Sequence, residues 1–210
     1  MKRRDLLKGA VATVPGAIGL QLLNVRWAVA QTGDFNGPLD VLNFALVLEY
    51  LEAEYYRQGV AANLVSGIEA EYLANIASDE VTHVAALTST ITQLGGEPVP
   101  APAVDFGQAF ASREQMLETA YRFENSGMQG YLAAAPALAA TPALLQAAAG
   151  IYGVEARHAA LIGYLAGKPA ADGIFKGPSE PTATRGEVLA EVSPLMGIAA
   201  GMAGTASVTE

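Results

Sequence analysis

Glu80-Val81-Thr82-His83 and Glu155-Ala156-Arg157-His158 contain the only two histidines of a 210-residue chain, each with a glutamate three positions before it. Residues i and i+3 share a helix face, so each pair can present a carboxylate and an imidazole to one point. Acidic residues number 21 of 210, and composition alone rarely puts one at that position before both histidines. Taken singly, either pair fits a surface salt bridge as well as a ligand pair. What separates the two readings is the offset between them.

Shifting the sequence by 75 positions lays Glu80 and His83 on Glu155 and His158. The same shift lays Glu49 on Glu124, Tyr56 on Tyr131, Leu42 on Leu117, Ala45 on Ala120 and Ile76 on Ile151. Each half therefore reads Glu, then Tyr seven residues on, then Glu-x-x-His on the next helix. A seven-residue step returns a helical side chain to within about 20° of its starting direction. Glu49 and Tyr56 thus share a face with Leu42, Ala45 and Ala53, and Glu124 and Tyr131 share one with Leu117, Ala120 and Met128. Glutamates on apolar stripes do not suit a surface role. Glu52, about 60° from Glu49 around the helix, is the ambiguous neighbour; its repeat partner is Gly127, which favours Glu49 and leaves Glu52 beside the ligands or exposed.

Around these residues the pattern predicts an all-α chain with four long helices. The first spans 38–62, opened by Pro38. The second follows Ser66, a predicted N-cap, and runs to Leu94, where Gly95-Gly96 stops it. The third follows Ser112, with Gln115 completing a capping box, and ends before Pro136. The fourth opens at Thr141-Pro142 and stops near Gly167 and Pro169. Short loops join the first to the second and the third to the fourth, as antiparallel hairpins need. Residues 95–111 carry Pro98, Pro100 and Pro102; extended at about 3.3 Å per residue, this segment could span a bundle about 40 Å long. It is a candidate long crossover between helices 2 and 3, the feature that distinguishes a ferritin-like four-helix bundle from an up-down one. From Lys168 the composition turns to Gly, Pro, Ser and Thr, predicting a mostly irregular tail over 168–210 with one short helix near 186–192.

Composition restricts the function classes. The net charge of -9 argues against a nucleic-acid partner. No cysteine is present, which excludes disulfides, thiolate catalysis and iron–sulfur clusters and leaves oxygen and imidazole as metal donors. Residues 1–30 read as a twin-arginine signal peptide: Arg3-Arg4-Asp5-Leu6-Leu7-Lys8, a modestly apolar run to about Leu23, and Ala28-Val29-Ala30 as a cleavage site. The alternative, a membrane anchor, is weakened by Pro15 and Asn24 and by the shortness of the run. Cleavage after Ala30 would leave a bundle over 31–167 and the tail, with a formal charge of -13, in the periplasm or otherwise exported and without a membrane partner.

The arrangement resembles that of the ferritin-like superfamily across roughly residues 34–167, whose di-iron and di-manganese members take one Glu from each of two helices and Glu-x-x-His from the other two. More narrowly, the stretch from Leu42 to Tyr56, LNFALVLEYLEAEYY, is similar to the opening helix of a bacterial ferritin-like family often called desiccation-related. The resemblance implies Glu49, Glu80, His83, Glu124, Glu155 and His158 as ligands of two iron ions (or manganese), with Glu80 and Glu155 bridging. Beside that resemblance, four buried carboxylates would be costly without compensation, and two divalent cations would neutralise them. The donor set suits iron or manganese, and zinc could also occupy it.

Tyr56 and Tyr131 fit two readings equally, as partners of a ligand carboxylate and as core tyrosines with satisfied hydroxyls. Arg57, Arg122 and Arg157 are candidates to pair with carboxylates around the site, and Glu54, Glu69 and Glu71 read as a solvated face. The resemblance implies redox chemistry with O2 or peroxide, of the ferroxidase or peroxidase kind. These 210 residues lack the four-cysteine iron domain of rubrerythrin-like peroxidases and show no signature of a 24-subunit storage cage. A non-catalytic stress- or desiccation-related protein, structural or metal-sequestering, is the alternative. A homodimer is compatible with a bundle of this size.

Overall fold

Residues 35–171 and 173–195 are described by the computed structural model. The expected signal peptide, residues 1–30, lies outside them. Among the described residues every regular element is helical: α1 Pro38–Ala62, α2 Ile68–Gln93, α3 Arg113–Ala134, α4 Pro142–Leu165 and the short α5 Arg185–Val192, with 3-10 turns at Ala135–Leu138 and Ser193–Leu195. No helix among them is long and apolar enough to cross a membrane.

Local chemistry sets the helix ends. Pro38 begins α1, and Asn63 closes it in the left-handed region at φ 53°. Ser112 caps α3 by accepting a hydrogen bond from the Gln115 amide. Thr184 and Glu187 make a full capping box for α5. Ser66 is not the cap of α2. Gly67 holds that place at φ 58° and ψ -134°, a conformation open to glycine and strained for a serine. Thr141 holds the N-cap position of α4 ahead of Pro142, but its side chain makes no cap hydrogen bond; its hydroxyl donates to the Leu138 carbonyl at 3.1 Å, at the end of the 3-10 turn that contains Pro136.

Helices α1 and α2 pack as one hairpin and α3 and α4 as another, with α1 and α3 meeting between them. Gly59 lies against Met116, Glu52 against Gly127 and Leu48 against Gly130, so α1 and α3 run in opposite directions. Helix α2 is also antiparallel to α1, since Gly96, just past its end, packs on Leu39 at the start of α1. Helices α2 and α3 are therefore parallel, and the chain must cross the full bundle to join them.

That crossover is fastened at both ends to α1. At its start the Asn43 side chain accepts from the Val99 amide at 2.8 Å and donates to the Glu97 carbonyl. At its end Phe106 and Phe110 pack on Tyr55, which also meets Phe123 edge-on. The buried Tyr55 hydroxyl donates to the Met116 carbonyl at 2.5 Å. From Asn43 to Tyr55 the segment follows about 18 Å of helix axis. The aromatic cluster joins Leu48, Leu51, Leu73, Leu117, Leu138 and Ile162 in the core, where each fully buried side chain contributes about 1.5–3 kcal/mol.

Beyond α4 the chain folds back onto α3. Gly173 accepts from Tyr121 at 2.6 Å, Val188 and Val192 of α5 are buried, and Arg185 reaches Asp40 of α1 at 2.9 Å.

Candidate metal centre

Each long helix brings one polar face to the middle of the bundle. Glu49 stands at the centre of α1 between Leu48 and Leu51, Glu124 beside Phe123 on α3, and the two Glu-x-x-His pairs on α2 and α4. Glu49, Glu80, Glu124 and Glu155 are 0% exposed, and His83 and His158 are 8% and 6% exposed. Helices α2 and α4 bury only narrow stripes, so much of what each contributes to the interior is its glutamate, its histidine and a few flanking aliphatics.

The six side chains form two groups. Glu49, Glu80, His83 and Glu155 make one; Glu80, Glu124, Glu155 and His158 make the other; within each, the candidate donor atoms lie within 4.8 Å of one another. His83 Nδ1 is 3.1 Å from Glu49 Oε2, Glu80 Oε2 and Glu155 Oε1. His158 Nδ1 is 3.0 Å from Glu80 Oε1, 3.4 Å from Glu124 Oε2 and 3.9 Å from Glu155 Oε2. Glu80 and Glu155 thus turn one oxygen toward each histidine. A single Nδ1–H can satisfy only one of three surrounding oxygens, whereas a cation accepts several donors at once.

Unmet bonding demand points the same way. Glu80 Oε1, Glu124 Oε2, both oxygens of Glu155, and His158 Nδ1 are buried without a properly directed hydrogen bond. Buried polar atoms are almost always satisfied, so these donors fit a pair of metal ions. Proton affinities are displaced accordingly. Burial first, then the neighbouring carboxylates, push Glu155 up to about 9 against the opposing influence of the adjacent His83 ring. Burial raises Glu49 to about 7 despite its bonds to His83 and Tyr131. For Glu80 burial is outweighed by the adjacent His158 and His83 rings, which hold it at about 2. Burial opposes charge on the histidines, but the surrounding carboxylates raise His83 to about 12 and His158 to about 11. Without cations, protons do the neutralising; a metal ion entering would displace them.

The tyrosines cross between the halves. Tyr56 of α1 donates to Glu124 Oε1 on α3, and Tyr131 of α3 donates to Glu49 Oε1 on α1 at 2.5 Å. Of the two readings open from sequence, the carboxylate partner is the one observed. Glu52 is 2% exposed and close to the cluster, so its exposed reading is overturned. The arginines do not serve the centre: Arg57 pairs with Glu54, Arg122 with Glu191, and Arg157 donates to the Gly153 carbonyl. Glu69 pairs across the bundle with Arg113.

Asp79 is a contact the sequence reading missed. Its Oδ2 lies 3.2 Å from His158 Nε2, behind the ring, where a carboxylate orients an imidazole and fixes which nitrogen faces a metal. The 75-residue offset pairs Asp79 with Val154, so the repeat carried no signal for it. A surface groove of about 590 Å³ between α1, α2 and the crossover is lined by none of the six residues; the centre is in the core.

Residues 37–168 match the family model described as a ferritin-like domain. The chain belongs to that family. The match covers all four long helices of the ferritin-like bundle, its crossover and all six clustered side chains. A search among curated proteins found no match.

Proposed function

We propose that this ferritin-like chain holds two divalent ions, iron or manganese, with Glu80 and Glu155 bridging, Glu49 and His83 completing one position, and Glu124 and His158 the other. The carrying observation is that Glu80 and Glu155 each direct one oxygen to either histidine. When bound, such a metal pair supplies redox chemistry with O2 or hydrogen peroxide. The chain's own residues provide a low-dielectric enclosure that excludes bulk water and admits only small reactants, since the carboxylates are fully buried. Tyr56 and Tyr131 hold Glu124 and Glu49 in position, and Asp79 orients His158. In this reading the twin-arginine pattern at residues 3–8 exports the chain folded, to the periplasm or otherwise outside the cytoplasm.

The test is metal content by mass spectrometry on mature protein from its host's envelope fraction, followed by peroxide and oxygen consumption. About two iron or manganese atoms per chain, with turnover lost in Glu80→Ala and Glu155→Ala, supports the reading. Two metals without turnover would move it to metal sequestration. A folded chain that takes up neither metal sinks it.

A further inference from the structure

Among the described residues, Glu52 is the one buried carboxyl that the six-residue site does not use. It lies one helical turn beyond Glu49 on α1, is 2% exposed, and leaves Oε2 without a hydrogen-bond partner. All four glutamates of the cluster act on it electrostatically, Glu155 most strongly, then Glu80, Glu49 and Glu124. Its strongest neighbours are thus the two carboxylates shared between the groups. Burial and those neighbours raise its proton affinity well above a normal carboxyl's.

The second half of the repeat is built around this side chain. The 75-residue offset that carries Glu49 onto Glu124 carries Glu52 onto Gly127. A Cβ at Gly127 would stand 2.6 Å from Glu52 Oε1, closer than real Cβ contacts come, and a tight 3.1 Å from Oε2. The Glu52 carboxyl therefore rests against the α3 backbone in space that any side chain at 127 would take. Two symmetric carboxyls could not fit there; one fits because its partner position has no side chain.

A glutamate serving only to fill the core would be a poor choice. Its carboxyl carries a large desolvation penalty, and a hydrogen bond to Oε2, which would offset it, is missing. A cation in the neighbouring cluster would supply what is lacking.

We propose that Glu52 is a seventh donor to the metal centre, present on one side only, which makes the two metal positions chemically inequivalent. This rests on the dinuclear reading above.

Cobalt(II), whose visible bands report coordination, tests it by titration of the full chain with competition for affinity. Wild type should take up two Co(II) per chain in two resolvable steps. Glu52→Gln, which keeps the shape and removes the anionic donor, should still bind two, with one step weakened about tenfold or more and its bands altered. Gly127→Ala, whose methyl group displaces the Glu52 carboxyl, should weaken the same step. The metal-free Glu52→Gln protein should melt no lower than wild type, since Gln keeps the packing of the side chain and removes a buried, unpartnered carboxyl. Wild-type binding of two Co(II) with identical affinities and bands in both variants would overturn the inference and leave the dinuclear reading intact. No Co(II) uptake by folded wild type would overturn both. Should Glu52→Gln fail to fold, Gly127→Ala decides alone by the same criterion.

Discussion

Helices α1 and α2 and helices α3 and α4 are two versions of one hairpin. Shifted by 75 residues, α1 at Pro38–Ala62 falls on α3 at Arg113–Ala134, and α2 at Ile68–Gln93 falls on α4 at Pro142–Leu165, to within a few residues at each end. Each half gives the centre a glutamate, a tyrosine and a Glu-x-x-His pair, and each tyrosine serves the other half's glutamate. The halves diverge beside the site. The first has Glu52 where the second has Gly127, and Asp79 where the second has Val154. The matched residues make up the two donor groups evenly; the unmatched ones, Glu52 and Asp79, come from the first half alone. The comparison teaches that symmetry here belongs to the cluster of candidate donors and asymmetry to the side chains beside it.

The largest effect should come from the shared carboxylates. Because Glu80 and Glu155 belong to both groups, Glu80→Ala and Glu155→Ala should empty both positions, while Glu49→Ala and Glu124→Ala should each empty one. Metal-to-protein ratios check this directly, and a Glu49 variant that loses both metals would break the assignment of roles. Next comes the bias at His158. Asp79→Asn should weaken metal binding at that position by about 10- to 100-fold and spare the His83 position, as read by competition titration; equal loss at both would remove the asymmetry.

The tyrosines then test the symmetry itself. Tyr56→Phe and Tyr131→Phe each remove one hydrogen bond to a buried carboxyl and should cost about 1–3 kcal/mol apiece. Denaturant melts of the metal-free protein should give nearly equal losses, and a difference of several-fold would show that the halves are not equivalent around the cage.

The smallest effect lies at the tie between α1 and α5. Burial raises the Asp40 carboxyl, but the Asn36 amide and Arg185 outweigh it and leave its proton affinity below the usual 3.8. The contact therefore stabilises the fold fully above that value and fades as pH falls through the lower folded value. A partly solvated pair of this kind contributes under about 1 kcal/mol. Arg185→Ala should accordingly narrow the difference in melting temperature between pH 5 and pH 3 only slightly.

The fold was legible where the sequence repeats a physical pattern. Apolar stripes on the first and third helices, Pro at two helix starts and a Pro-rich stretch too long for a tight turn led to the bundle and its crossover. The six clustered residues were legible because chemistry recurs at one offset, which local propensity does not mimic. Less visible were features without a repeat. Ser66 has the right chemistry for a cap, but Gly67 takes the place because the chain enters α2 with positive φ. Asp79 reaches His158 across two helices 79 residues apart in sequence, a contact that follows from packing alone. Glu52 could not be placed on the helical wheel, since its position about 60° from Glu49 suits either the flank or the interior; the absent side chain at Gly127 decides for the interior.

Anomalous diffraction from crystals of the mature protein loaded with manganese or iron tests the central claim most directly. The expected result is two peaks about 3.5–4 Å apart, both in contact with Glu80 and Glu155, one also with Glu49 and His83 and the other with Glu124 and His158. A single peak, or two peaks that share neither Glu80 nor Glu155, would contradict it.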